Sequence, residues 1–348
     1  MIIKMKKCIE YLNLVLVLLI LSSCQGKRPV DYVNPFICSQ GDHGQWLPAA
    51  LVPFGLVEVC PDTYPGSLTA DGGFAHSGYD FSDSQIRGFS NFHKGSSGGT
   101  SICDRSGLLS LVPFINVPDS FYISPVLNID KKTEKATPGY YSVTLPDEEI
   151  HAELTAETHV AVHKYSYPAR QVARLFIYEG NRPRSRGISF SPKGNQEIEG
   201  IQYCYGGIYF VMKFSSPIQS TKIWNGTMLT EGATLEKQLS GGLVCEFGDL
   251  QGKPLEIKVG VSLTSMEAAR KNLETECPDR INFEEVRKNA LEEWNKKLRL
   301  ITVDGEDEYK TIFYTALYHT CFMPQVITDV DGTYPGLDQK THQTDGYL

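Results

Sequence analysis

The stretch Ala152-Glu153-Leu154-Thr155-Ala156-Glu157-Thr158 leads through His159 into Val160-Ala161-Val162-His163-Lys164-Tyr165-Ser166. Apolar and polar residues alternate in its first half, and β-branched and aromatic residues are frequent in the second, as is typical of strands. Further short apolar runs, most of them bounded by Gly, Pro or Asn, lie at 172–178, 207–214, 243–247 and 255–261. Many short strands with frequent turn signals predict an antiparallel β-sandwich, which we place at residues 31–263.

A helical pattern replaces the strand pattern at Thr264. The sequence Thr264-Ser265-Met266-Glu267 predicts a capping box, in which the Thr264 hydroxyl accepts from the third helical N–H and Glu267 reaches back. We expect this helix to end near Glu276, because Pro278 follows and cannot continue it.

Two more helices are predicted after residue 280. Asn282 and Glu285 repeat the capping signal, and the helix that follows has an apolar face made of Phe283, Val286, Ala290, Trp294 and Leu298. The last helix is predicted from Asp307 to Phe322, with an apolar side made of Ile312, Phe313, Ala316, Leu317 and Cys321. So few helices cannot close a helical domain. They are therefore an appendage of the sandwich or, as we favour, the front part of a longer protein.

The amino-terminal residues predict export. Lys4, Lys6 and Lys7 precede a short apolar run at 12–21, and small residues and Cys24 follow it, so residues 1–23 have the form of a signal peptide. A cysteine directly after Leu-Ser-Ser resembles a bacterial lipobox, with Cys24 lipidated and residues 24–30 as a tether. This predicts an outer-membrane lipoprotein on the periplasmic or the cell-surface side. The alternative is an ordinary secretory signal in which Cys24 is incidental.

Composition excludes some classes of partner and site. The chain carries 33 basic and 41 acidic residues, a net charge of −8, which argues against nucleic-acid binding. Its nine cysteines are scattered and include no Cys-x-x-Cys pair, so they indicate neither a zinc site nor a disulfide framework.

The segment from Gly78 to Gly95 crowds aromatic rings, acids, an amide, an imidazole and glycines into fewer than twenty positions. Aromatic bodies among polar groups suit a ligand with apolar faces and many hydroxyls, such as a sugar. The alternative is a Gly-rich turn region with its aromatics packed beneath it.

Several blocks of the chain resemble glycoside hydrolase family 92. In chain order they lie at 31–37, 53–57, 61–63, 76–79, 86–90, 313–320, 329–334 and 345–347. The first reads Asp31-Tyr32-Val33-Asn34-Pro35-Phe36-Ile37, and the block at 329–334 reads Asp329-Val330-Asp331-Gly332-Thr333-Tyr334. The blocks keep the family's order over nearly the whole chain after residue 30.

This resemblance implies a mainly β protein: an antiparallel β-sandwich, a helical linker at 264–304 and, from 305 to 348, the first elements of an (α/α) toroid. It implies a calcium-dependent exo-α-mannosidase of Bacteroides-type bacteria, which hydrolyses terminal α-mannosides of N-glycans or mannans with inversion. The general acid, the general base and most calcium ligands are then expected beyond this amino-terminal portion. We therefore assign no catalytic or metal-binding residue here.

The resemblance also implies that loops of the sandwich form the rim of the sugar pocket. The first candidate loop supplies Asp42, His43, Gln45 and Trp46: the indole for stacking on a pyranose and the others for hydrogen bonds to hydroxyls. For Trp46, packing at a domain interface is the alternative. The second loop supplies Asn91, His93 and Lys94, where relatives are expected to carry another imidazole in place of Asn91 and no lysine.

Other interpretations stay open. The acids Asp329, Asp331 and Asp338 are candidates for chemistry, but they also suit a role in shaping their loop. Different functions for the whole chain are a non-catalytic glycan-binding lipoprotein and the product of a nonfunctional gene remnant. The sequence leaves the oligomeric state undetermined.

Overall fold

The computed structural model describes residues 26–40, 46–64, 77–93, 107–180, 186–204 and 206–346. The strands of these residues are, in chain order, β1 Cys60–Tyr64, β2 Gln85–Phe92, β3 Leu108–Phe114, β4 Leu127–Asn128, β5 Asp130–Thr137, β6 Tyr140–Leu145, β7 Ile150–Ala156, β8 Val160–Ser166, β9 Val172–Tyr178, β10 Ile188–Pro192, β11 Glu197–Gln202, β12 Ile208–Phe214, β13 Ser220–Trp224, β14 Leu229–Glu231, β15 Leu235–Gln238, β16 Gly242–Asp249, β17 Leu255–Ser262, β18 Thr333–Pro335 and β19 Thr341–Gln343. The helices are α1 Met266–Glu276, α2 Phe283–Leu298 and α3 Asp307–His319.

Two antiparallel sheets form the sandwich. One has the order β1-β2-β3-β9-β16-β13-β14, with β4 paired to β2, and the other has the order β15-β10-β11-β12-β17-β8-β7-β6-β5. The alternating stretch that begins at Ala152 becomes the hairpin of β7 and β8, in register with Leu154 opposite His163. The two sheets share one core, in which the rings of Phe89 and Tyr165 lie 5.9 Å apart. The predicted β-sandwich followed by helices is confirmed.

Of the two predicted helix caps, that of α2 agrees with the structure and that of α1 does not. Ser265, rather than Thr264, caps α1, because its side chain accepts from the Ala268 N–H at 3.0 Å. The Thr264 hydroxyl instead donates to Asp329, 65 residues further along the chain. The capping box of Asn282 and Glu285 at the start of α2 is present as predicted.

The buried face of α2 is the predicted one, whereas that of α3 is the predicted one only in part. Cys321 is buried, and Phe313 and Leu317 are partly buried against the same core. Ile312 is 55% exposed and Ala316 also faces solvent, whereas Tyr314 and Tyr318 are buried. The tyrosine rings can occupy the core because their hydroxyls donate to backbone carbonyls, those of Ile301 and Ala49 respectively. Helix α3 also ends at His319, three residues earlier than expected.

A second core lies where the sandwich meets α2 and α3. Segments that precede β1 contribute apolar side chains, and the helices contribute aromatic ones; its buried members include Val30, Leu47, Ala49, Leu51, Trp294, Leu298, Tyr314, Tyr318 and Phe322. Trp294 joins both sides, because its indole N–H donates to the Leu51 carbonyl at 2.6 Å. The helices are thus packed on the sandwich through a continuous buried contact.

Candidate functional site

Of the seven predicted rim residues, the structure describes Trp46, Asn91 and His93. Asp42, His43, Gln45 and Lys94 lie outside the described residues, as does the lipidation candidate Cys24.

Trp46 packs against the end of α3. Its ring is parallel to that of His319, with centroids 4.4 Å apart, and it meets Phe322 edge-on at 5.4 Å. Burial lowers the pKa of His319 to about 4, so the imidazole in this stack is neutral at pH 7. This geometry matches the interface-packing alternative for Trp46, which is half-buried. Stacking of the indole on a sugar stays a prediction.

Asn91 is fully buried in β2. Its Nδ2 donates to the Leu109 carbonyl at 2.5 Å, and its Oδ1 lies 2.7 Å from Nε2 of His163. His163 in turn lies 2.8 Å from the Tyr165 hydroxyl, and burial lowers its pKa to about 3. Asn91 therefore links the two sheets through a neutral histidine. Its amide has internal partners on both sides, and a direct contact with a sugar stays a prediction.

His93 is the centre of a buried polar group at the end of β2. Its Nδ1 lies 2.8 Å from the Glu58 carbonyl, and its Nε2 lies 3.2 Å from the Ser90 hydroxyl and 3.4 Å from Asp62 Oδ1. Burial acts to lower the pKa of His93, but the hydrogen bond and charge of Asp62, helped by the charge of Glu58, raise it overall.

This group is not a nucleophile with its base. The serine and the carboxylate face the same nitrogen of His93, whereas a catalytic triad needs them on opposite nitrogens. The group instead joins distant segments, since Gln325 Nε2 lies 3.1 Å from a carboxylate oxygen of Glu58 and 3.3 Å from the His93 carbonyl. It fixes the end of β2 to the segment that follows α3.

The aromatic segment after residue 77 is anchored by residues that the sequence did not single out. The hydroxyls of Tyr79 and Tyr141 donate to the buried carboxylate of Glu134, at 2.7 and 2.6 Å, and Lys131 pairs with the same carboxylate. The Lys131 ammonium also lies over the ring of Phe81, 4.3 Å from its centroid. Tyr79 is thus packed beneath a turn, as in the alternative interpretation, and Phe81 is 38% exposed.

Asp329 is the most enclosed acid of the loop after α3, with 2% of its surface exposed. Its Oδ2 accepts from the hydroxyls of Ser262 at 2.9 Å and Thr264 at 2.6 Å, and from Thr333 at 3.3 Å. Its Oδ1 accepts from Asn272 Nδ2 at 2.6 Å. Uncharged donors surround this carboxylate, which pins the loop to the end of β17 and to α1.

The other two acids of this region shape their own turns. Asp331 accepts from the backbone N–H and the hydroxyl of Thr333, and Asp338 lies 2.9 Å from Nε2 of His342. In the part of the chain that the structure describes, no three His, Cys, Asp or Glu residues are grouped so as to hold a metal ion. Because the Asp329 carboxylate is already occupied by hydroxyl and amide donors, these residues do not fit a calcium site.

An antiparallel β-sandwich with helices packed on it through a second core defines the fold class of the described residues. Family comparison gives the narrower assignment. The model of the glycosyl hydrolase family 92 N-terminal domain matches residues 32–262, and that of the glycosyl hydrolase family 92 catalytic domain matches residues 268–348. The chain belongs to glycosyl hydrolase family 92.

Solved structures show the same fold. A family GH92 α-mannosidase from Bacteroides thetaiotaomicron superposes with a TM-score of 0.81 at 23% identity, over 92% of this chain and 45% of that chain. That mannosidase is also solved in complex with mannoimidazole. A family GH92 inverting mannosidase from the same organism gives a TM-score of 0.79 at 26% identity, over 92% of this chain and 43% of the other.

A curated relative shares 23% identity over 91% of this chain. It is a protein of Arthroderma benhamiae named as an uncharacterized secreted glycosidase, and the match covers 44% of its length. The chain therefore spans less than half the length of the relatives that it matches.

Proposed function

We propose that this chain acts as part of an exo-α-mannosidase that hydrolyses terminal α-mannosides of N-glycans or mannans with inversion. The observation that supports this most strongly is the match of both family 92 modules, in order, from residue 32 to residue 348. The inverting mannosidase from B. thetaiotaomicron, at 26% identity, supports the same reaction.

Inversion needs two carboxyl groups about 6.5–9.5 Å apart, one protonated to assist departure and one charged to activate water. Two acids of the loop after α3 already have partners. Asp329 is buried and accepts from four donors, and the partly exposed Asp331 accepts from Thr333 and pairs with Lys271. We therefore propose that this chain carries neither the acid nor the base of the enzyme, and that it does not carry most of the calcium ligands. Sandwich loops that carry Asp42, His43, Gln45, Trp46, Asn91, His93 and Lys94 complete the rim in this proposal.

Proton NMR of the whole enzyme acting on an aryl α-mannoside tests this function. With calcium present, β-mannose is expected to appear first and to mutarotate later, because inversion of an α-glycoside releases the β anomer. Removal of calcium with a chelator is expected to abolish turnover. First release of α-mannose, or binding of mannose oligosaccharides without any hydrolysis, would contradict the proposal; the second result would favour a glycan-binding protein.

We also propose export with lipidation at Cys24. The lipobox-like sequence before this residue supports lipidation, and the name of the A. benhamiae relative as a secreted protein supports export alone. Among the residues that the structure covers, no helix has the length and apolar character needed to cross a bilayer. Replacement Cys24→Ala is expected to move the protein from the membrane fraction to the soluble fraction, measured by immunoblotting after ultracentrifugation. Unchanged membrane association of the variant would refute the lipid anchor.

A further inference from the structure

The turn between β7 and β8 is the place where the sandwich touches both α1 and α2. Glu276, the last residue of α1, accepts from the backbone N–H of His159 at 2.8 Å, and its other oxygen lies 2.6 Å from the His159 Nδ1. On the α2 side, Asn289 Nδ2 lies 3.5 Å from the carboxylate of Glu157. Side chains of one short turn therefore hold two helices against the sandwich.

A cavity of about 450 Å³ lies beside this turn. Val52 and Pro53 form an apolar wall, and the opposite side carries Asn289 and carboxylates; the lining consists of Val52, Pro53, Glu157, Thr158, Asn289, Glu292 and Glu293. The carboxylate of Glu157 thus lines a cavity whose other walls are Val52 and Pro53 on one side and the carboxylates of α2 on the other. This cavity lies where the sandwich meets α2.

Three of the four carboxylates at this contact face a basic group: Glu276 faces His159, Glu293 lies 3.9 Å from Lys296, and Glu292 faces the charge of Arg28. Glu157 differs, because the described residues supply it with the Asn289 amide and with no cation. Burial first, and then the charge of Glu276, raise the pKa of Glu157 to about 7; Glu293 adds to the rise and Asn289 opposes it.

We propose that the turn 157–159 is a pH-sensitive clasp, which holds α1 and α2 on the sandwich more firmly at mildly acidic pH than at alkaline pH. When Glu157 binds a proton, its half-buried carboxyl becomes neutral and its repulsion from Glu276 and Glu293 ends. The inference rests on this contact alone and is independent of the proposed hydrolysis.

The direction of the pH effect follows from proton linkage. The folded protein holds the proton of Glu157 more tightly than the unfolded chain, where a glutamate has its ordinary pKa of 4.5. The stabilisation is therefore complete below pH 4.5, decreases as the pH rises from 4.5 to about 7, and is absent above that value.

The test compares melting temperatures at pH 5.5 and pH 8.0 for the wild type, Glu157→Gln and the matched control Glu292→Gln. The control removes a carboxylate that lines the same cavity but faces Arg28. Between pH 5.5 and pH 8.0, the melting temperature of the wild type and of the control is expected to fall by about 5 °C more than that of Glu157→Gln. Hydrogen–deuterium exchange, corrected for the pH dependence of intrinsic exchange, is expected to show less protection of α1 and α2 at pH 8.0 than at pH 5.5 in the wild type. This change is expected to be smaller in Glu157→Gln.

A second variant keeps the test decisive if Glu157→Gln does not fold. Asn289→Asp places one more carboxylate beside Glu157, and it is expected to steepen the loss of stability between pH 5.5 and 8.0. Equal pH dependence in the wild type and Glu157→Gln would overturn the clasp. If only Asn289→Asp folds, a pH dependence of its melting temperature equal to that of the wild type would also overturn the clasp.

Discussion

Replacement of Trp294 by alanine is expected to lower the free energy of unfolding by about 3–5 kcal/mol. The indole is fully buried, and its centroid lies 4.4 Å from that of Tyr318. The change creates a cavity between the helices and the sandwich, and it leaves the Leu51 carbonyl without the donor that lies 2.6 Å away in the wild type. Urea denaturation followed by circular dichroism measures the loss.

Leu300→Ala is the matched control, because this leucine follows the same helix but is 74% exposed. Its effect is expected to stay within about 0.5 kcal/mol. A Trp294→Ala loss no larger than that of Leu300→Ala would show that the helices do not depend on this core for their attachment.

The second large effect is expected for Asp329→Ala, with a loss of about 2–4 kcal/mol. The change removes the acceptor of Ser262, Thr264 and Asn272, and it leaves their donors buried. The loop from 328 to 346 is then held less tightly. Urea denaturation measures the stability, and hydrogen–deuterium exchange of the loop peptides measures the attachment.

Asp331→Ala serves as the control from the same loop. Its carboxylate, whose side chain is 25% exposed, bonds to Thr333 two residues away and forms an ion pair with the exposed Lys271 of α1 at 3.5 Å. Exposed pairs contribute little, so the expected loss is below about 1 kcal/mol. Faster exchange of the loop in Asp331→Ala than in Asp329→Ala would contradict the role of Asp329 as the anchor.

Local signals in the sequence predicted the fold well where the responsible residues are neighbours. Alternation predicted strand structure over the residues that form β7 and β8, and helical spacing predicted the buried face of α2 from Phe283 to Leu298. The face of α3 was predicted only in part: Phe313 and Leu317 pack as expected, but the buried tyrosines were missed. Tyrosine suits either the core or the surface, and its position depends on distant acceptors. For Tyr318 that acceptor is the Ala49 carbonyl, 269 residues away.

The candidate site was less predictable for the same reason. Glu134 holds Tyr79 across 55 residues, and Asp329 meets Ser262 across 67, so no local pattern marks either contact. Asn91 and His93 were identified by their residue types, but the sequence does not reveal the internal partners that hold them, such as His163. The sequence shows which residues of a loop are distinctive, whereas only the folded structure shows which distant residues they contact.

The central claim is that hydrolysis needs a cleft built by both modules of the family, and that this chain carries neither the catalytic acid nor the catalytic base. The most direct test measures the release of 4-nitrophenol from 4-nitrophenyl α-mannoside in the presence of calcium. The assay compares the 348-residue chain with the whole enzyme. We predict turnover by the whole enzyme and none by the 348-residue chain. Comparable turnover by the shorter chain would contradict the claim, since it would then contain a complete pair of catalytic carboxyl groups.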